Sequence, residues 1–176
     1  MMVMKNMDKR AFFVIGPESS GTRMMTQAFL ALGAYGDGGH AQRLDKERFK
    51  NGHEFIVFRR SVPHGKKMPR IANVIKEMEN EGYQVFPVII FRDKDMCAKS
   101  QIKNKHAENN ANARTSIKKA VDFIYLELAK AGYAGFVIHY EAFVKFRKVR
   151  SNFFSQFNLP HPKMEFYNAN INYKKR

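Results

Sequence analysis

The chain reads as a three-layer α/β fold with a mainly parallel central sheet of about four or five strands. Two patterns lead there. Four short apolar runs, at 11–15, 55–58, 85–91 and 136–139, have the length of buried strands. The segments between them carry apolar residues at helical spacing, and strands alternating with helices build a parallel sheet covered on both faces. The 176 residues fit one domain, 1–176, with a sizeable core.

The helical stripes follow in order. Met25, Ala28, Phe29 and Leu32 line up after the first strand. Ile71, Val74, Ile75 and Met78 follow Pro69, a residue suited to a first helical turn. Ile117, Ala120, Val121, Ile124 and Leu128 form a third stripe, ended near Gly132. Phe146, Val149, Phe153 and Phe157 form a fourth, stopped by Pro160. Gly33–Gly39 reads as a loop, and the polar stretch Asn104–Ala113 as a loop or a frayed helix start.

Bulk properties narrow the class. Apolar content is 44%, within the globular range, and no apolar run approaches the ~20 residues of a membrane span. The start, MMVMKNMDKR, is polar apart from its methionines and unlike a signal peptide. One cysteine, Cys97, allows neither an intrachain disulfide nor a cysteine zinc cluster, and a cytoplasmic protein is expected. The net charge of +15 favours anionic ligands. The basic residues are spread along the chain and form no nucleic-acid recognition motif, so nucleic acid is not expected as the main partner.

In an open parallel sheet, ligands sit beyond the carboxyl ends of the strands. The segment after the first strand is GPESSGTR, 16–23. A nucleotide-binding phosphate loop reads Gly, four residues, Gly, Lys, then Ser or Thr. Gly16 and Gly21 keep that spacing, but Thr22 replaces the lysine and Arg23 the metal-binding hydroxyl. The glycines still let backbone N–H groups approach an anion, and the following helix points its positive end at the same place. Ser19, Ser20 and Thr22 add hydroxyls, and Arg23 a charge. The third strand ends in Arg92 and not in an acidic residue that would hold Mg²⁺. Asp93 and Asp95 lie just beyond, but the cation at the strand end opposes a metal there, and none is expected.

Three stretches resemble the P-loop sulfotransferases, which use 3′-phosphoadenosine-5′-phosphosulfate (PAPS). ESSGTR, 18–23, is similar to that family's 5′-phosphosulfate loop, typically PKSGTT. FRDKDMCAKS, 91–100, is similar to its 3′-phosphate motif, typically VRNPRDVAVS, with Arg and then Ser eight positions on. VIHYEAF followed by FFSQFNLP resembles the family's RYEDL strand and the helix that ends in FLGLP. The three occur in the family's order over most of the chain. The resemblance implies a sulfotransferase that moves a sulfuryl group from PAPS to a hydroxyl or amine, leaving 3′-phosphoadenosine-5′-phosphate. It assigns Glu18, Ser19, Ser20, Gly21, Thr22 and Arg23 to the 5′ end of the donor, and Arg92 with Ser100 to the 3′-phosphate. Tyr140 and Glu141 are expected to pack and anchor loops. Because the first and third strand ends address one donor, they are expected side by side, in a sheet order second, third, first, fourth.

The departures from the family bear on catalysis. The family's loop lysine aligns with Ser19, so Arg23, or else Arg59, is expected to meet the transferring group. The family's base stands in a Lys-Thr-His-Leu-Pro stretch after the second strand; here Arg59-Arg60-Ser61-Val62-Pro63-His64 occupies that place, with Ser61 at the histidine position. His64 is the first candidate base and His40 the second, since histidine suits proton transfer near neutral pH. His53, His106, His139 and His161 read as peripheral or structural. The acceptor class is open among carbohydrate, lipid and small metabolite. Two other functions remain in view: a P-loop nucleotide kinase, and a basic nucleic-acid-binding module without enzymatic activity.

Overall fold

The computed structural model describes residues 9–36, 52–64 and 67–174. Within them, four parallel strands form one sheet: β1 (Lys9–Pro17), β2 (Phe55–Val62), β3 (Tyr83–Phe91) and β4 (Phe136–His139). The helices are α1 (Thr22–Leu30), α2 (Ile71–Asn80), α3 (Lys94–Lys103), α4 (Asn110–Ala131), α5 (Tyr140–Lys145), α6 (Arg147–Ser155) and α7 (Ile171–Lys174). No helix among the described residues is long and apolar enough to cross a membrane.

Period-two alternation in β1 divides the core into two layers. Ala11, Phe13 and Ile15 face α2 and α4, against Ile71, Ile75, Met78, Ala120, Ile124 and Leu128. Phe12 and Val14 face the other side, with Met25, Ala28 and Phe29 of α1 and Phe143, Phe153, Phe154 and Phe157 near the C-terminus. The Phe12 ring stacks on Phe29 at 4.3 Å and on Phe86 at 5.1 Å. This is the three-layer architecture that the alternating strands and helices imply.

The sheet order is β2-β1-β3-β4, which corrects the expected second, third, first, fourth. The first and third strands are neighbours as expected, in register from Lys9↔Tyr83 to Ile15↔Ile89. The outer strands are exchanged. β2 pairs with β1, and β4 with the last four residues of β3, Val88–Phe91. Sharing a ligand fixes only the middle pair. Each outer strand instead joins the inner strand that precedes it in the chain, the common outcome for consecutive elements.

A second correction concerns the fourth stripe. Phe146 has extended backbone between α5 and α6, which resets the helical phase. Phe146 is then 50% exposed and Val149 37%, while Phe153 and Phe157 are buried. α3 carries no apolar stripe; its buried residues are Cys97, Ala98, Ser100 and Gln101. The 104–109 stretch is irregular and α4 starts at Asn110, where the Asn109 side chain caps it by accepting from Asn112 N–H at 2.9 Å.

Candidate functional site

The order of strands reverses between β1 and β3, so ligands are expected in the crevice beyond the ends of those two strands. A cleft of about 1060 Å³ opens there. Glu18, Ser19, Gly21, Thr22, Arg23, Arg59, His64, Arg92 and Ser100 all line it. Three separate stretches of the chain, singled out by motif, thus meet in one place. His40 lies outside the described residues.

The turn after β1 is tight. Glu18 N–H donates to Val62 O at 3.1 Å and Ser20 N–H to Pro17 O at 3.0 Å. Ser19 has φ 68° and Gly21 φ 107°, both left-handed. A Cβ on Gly21 would lie 2.5 Å from the Tyr140 ring, so glycine is needed there for space as well as for φ. Gly21 is the N-cap of α1 and supplies no side-chain cap. The first N–H groups of α1 therefore stand at the cleft with the positive end of the helix, an arrangement suited to an anion. Ser20 is the exception among the loop residues. It does not line the cleft, and its Oγ is buried with no hydrogen-bond partner among the described residues.

Arg92, at the end of β3, ties the turn to the sheet. Its Nη1 donates to Ser19 O at 3.0 Å and its Nε to Asn170 Oδ1 at 2.6 Å. The guanidinium carbon lies 5.0 Å from the Tyr140 ring centre and 5.4 Å from that of Tyr173. Nη2 is buried and has no partner among the described residues. A buried guanidinium N–H without a partner is costly to leave unmade. Ser100, on α3, is 5% exposed; its Oγ accepts from Tyr173 O–H at 3.1 Å and from Asn104 Nδ2 at 3.4 Å.

Tyr140 and Glu141 pack and anchor. Tyr140 O–H donates to Tyr167 O at 3.1 Å, and its oxygen accepts from Ala169 N–H at 3.0 Å. Glu141 Oε1 accepts from Asp93 N–H at 3.0 Å and from Asn170 Nδ2 at 2.8 Å. The two aspartates after β3 have structural partners. Asp93 caps α3 by accepting from the N–H groups of Asp95 and Met96, each at 3.0 Å. Asp95 pairs with Arg114 at 2.6 Å.

The far wall is basic. Arg59 and Arg60 are half-buried in β2, and Arg60 Nη1 donates to Arg59 O at 2.8 Å. Arg23 and His64 are exposed, and both line the cleft. A histidine expected to be peripheral also reaches the cleft. His106 lines the cleft with its Nδ1 3.8 Å from Glu18 Oε2. The Glu18 side chain is only 10% exposed, so a carboxylate is held inside the anion loop. Nothing in the sequence around His106 marks it; after α3 its N–H donates to Gln101 O at 2.8 Å, and Gln101, in the last turn of α3, donates through Nε2 to Glu18 O at 2.9 Å. Two further histidines have partners elsewhere: His53 stacks on Tyr35 at 3.6 Å, and His161 accepts from Arg150 Nε at 3.1 Å. Cys97 is buried, and that burial pushes its thiol up to about 12, so it is an inert group under the loop and not a nucleophile.

Compared with protein-family models and with curated proteins, the chain gives no match.

Proposed function

We propose that the protein is a sulfotransferase that uses PAPS as donor and a hydroxyl or amine as acceptor. One observation carries the reading: an anion-binding turn with no lysine and a strand-end arginine with a buried, unpartnered N–H line a single cleft. A donor with two separated anionic ends suits two such subsites. The turn of Glu18–Arg23 and the start of α1 would hold the 5′ end. Arg92 Nη2 and the Ser100 hydroxyl would hold the 3′-phosphate, through charge-assisted bonds.

When bound, PAPS supplies the sulfuryl group. The protein's own residues do the rest by positioning and electrostatics. Main-chain N–H groups at the start of α1 stabilise the negative charge that accumulates on the oxygens in transfer. Arg23 and Arg59 add positive charge where the family would use its loop lysine. His64 takes the acceptor proton. The acceptor enters through the open side, among carbohydrate, lipid and small-metabolite classes.

The test is ligand choice followed by turnover. 3′-Phosphoadenosine-5′-phosphate should raise the melting temperature without Mg²⁺, with a stabilisation of about 2.7 kcal/mol at roughly 100 times its dissociation constant. ATP with Mg²⁺ should do less. A larger shift with ATP that disappears on chelation would replace this reading with the kinase. Tight, salt-dependent DNA binding with no nucleotide binding would replace it with the nucleic-acid module.

A further inference from the structure

We propose that the segment Asn168–Tyr173 positions the Arg92–Ser100 pair for a phosphate group, with Asn170 and Tyr173 as the positioning residues. The inference rests on the donor-site reading above. No motif in the sequence marks this segment. Its role is visible only where it docks against Arg92 and Ser100, with its Ala169 and Asn172 lining the cleft beside that pair. Arg92 and Ser100 line the cleft; Asn170 and Tyr173 do not.

Asn170 fixes the guanidinium. The residue is 4% exposed, and both ends of its carboxamide are used. Oδ1 accepts from Arg92 Nε at 2.6 Å, while Nδ2 donates to Glu141 Oε1 at 2.8 Å. Glu141 is itself held by Asp93 N–H at 3.0 Å. The chain Asp93–Glu141–Asn170–Arg92 therefore sets the amide orientation and presents an acceptor to Nε. Nη1 gives one of its two N–H groups to Ser19 O, and Nη2, buried and without a partner among the described residues, is the nitrogen assigned to a ligand.

Tyr173 fixes the hydroxyl. Its O–H donates to Ser100 Oγ at 3.1 Å, and Asn104 Nδ2 approaches the same oxygen at 3.4 Å. An oxygen that accepts twice has its own proton left to give. Ser100 is thereby made a donor, the polarity an anion needs. The Tyr173 ring also lies over Arg92 at 5.4 Å, so one side chain touches both members of the pair.

The experiment compares binding of 3′-phosphoadenosine-5′-phosphate with that of adenosine 5′-phosphate, by calorimetry, in the full chain. Wild type should prefer the 3′-phosphorylated ligand. Asn170→Ala should reduce that preference about tenfold, the usual scale for a hydrogen bond to a charged group. Tyr173→Phe keeps the ring and should reduce it severalfold. Affinity for adenosine 5′-phosphate should stay near the wild-type value in both, which a general loss of structure would not permit. Variants that keep the full preference, or lose affinity for both ligands equally, would overturn the positioning role while leaving the donor site intact. A wild-type protein with no preference for the 3′-phosphate would remove the donor-site reading, and this inference with it.

Discussion

Arg92 Nη1 donates to the main-chain carbonyl oxygen of Ser19 at 3.0 Å, so the end of β3 grips the turn that follows β1. Ser19 is a non-glycine residue at φ 68°. Such a conformation persists where surrounding bonds hold it. On the proposed reading Arg92 has two tasks: to hold the shape of the turn and to offer Nη2 to a ligand.

Arg92→Ala should therefore cost about 1.5–3 kcal/mol of affinity for 3′-phosphoadenosine-5′-phosphate, the scale of a hydrogen bond to a charged group. It should also abolish the preference over adenosine 5′-phosphate. Titration calorimetry with both ligands checks this. Equal weakening toward the two would mean that Arg92 acts only by shaping the turn.

Gly21→Ala tests the turn itself. The new Cβ would meet the Tyr140 ring at 2.5 Å at a backbone φ of 107°. The left-handed conformation costs a non-glycine residue about 1–2 kcal/mol, and overpacking adds about 1–3 kcal/mol. Denaturant melts should show destabilisation of that order. Nucleotide binding should fall further than stability does, because the N-terminus of α1 moves. Gly33→Ala is the control: its φ is 90°, but nothing lies within 4 Å of its Cβ position, so only the conformational part applies.

Much of the fold could be read from the chain because the apolar pattern is periodic. β1, β2, β3 and β4 coincide with the four apolar runs, extended at their ends by residues such as Arg59 and Arg60 that face the cleft. The stripes of α1, α2 and α4 are core apart from Leu32, which is partly buried, and Val121, which is half-buried and joins no core cluster. The order of outer strands was not legible, since ligand sharing constrains only β1 and β3. Phe146 and Val149 misled because a single extended residue resets a helical phase. At the site, the glycine spacing and Arg92 were legible because a motif constrains backbone chemistry. His106, Asn170 and Tyr173 were not, since they arrive through loops and a four-residue helix whose positions depend on tertiary docking.

Acid should weaken the fold through His161. Burial holds its imidazole below the ordinary value, and the Arg150 and Arg147 charges add to that. Its Nε2 accepts from Arg150 Nε, which requires the neutral ring. A histidine with a depressed folded pKa contributes stability that is fully present above the unfolded value, about 6.5, and is lost as pH falls through the folded value. Denaturation midpoints should drop from pH 7.5 toward pH 5. His161→Gln keeps an acceptor for Arg150 without a titrating ring and should flatten that segment of the profile. An unchanged slope in the variant would assign the acid sensitivity to other groups.

The base assignment gives the riskiest prediction. His64 is exposed at the cleft beyond β2, and His106 faces the anion loop with Glu18 at 3.8 Å. The two histidines have different surroundings. His106 has the Glu18 carboxylate 3.8 Å away, a contact that suits holding the loop. His64→Ala should therefore lower turnover about 10² to 10⁴-fold, the contribution typical of a general base. It should still bind 3′-phosphoadenosine-5′-phosphate nearly normally, because donor binding rests on the turn and on Arg92. His106→Gln should change turnover less than about tenfold and should instead weaken donor binding, since Glu18 loses the group opposite it; His40→Ala is a further comparison. Release of 3′-phosphoadenosine-5′-phosphate against a panel of carbohydrate, lipid-headgroup and small hydroxyl acceptors reads all three. A large loss of rate in His106→Gln, with donor affinity intact and His64→Ala unaffected, would move the base to the Glu18–His106 pair.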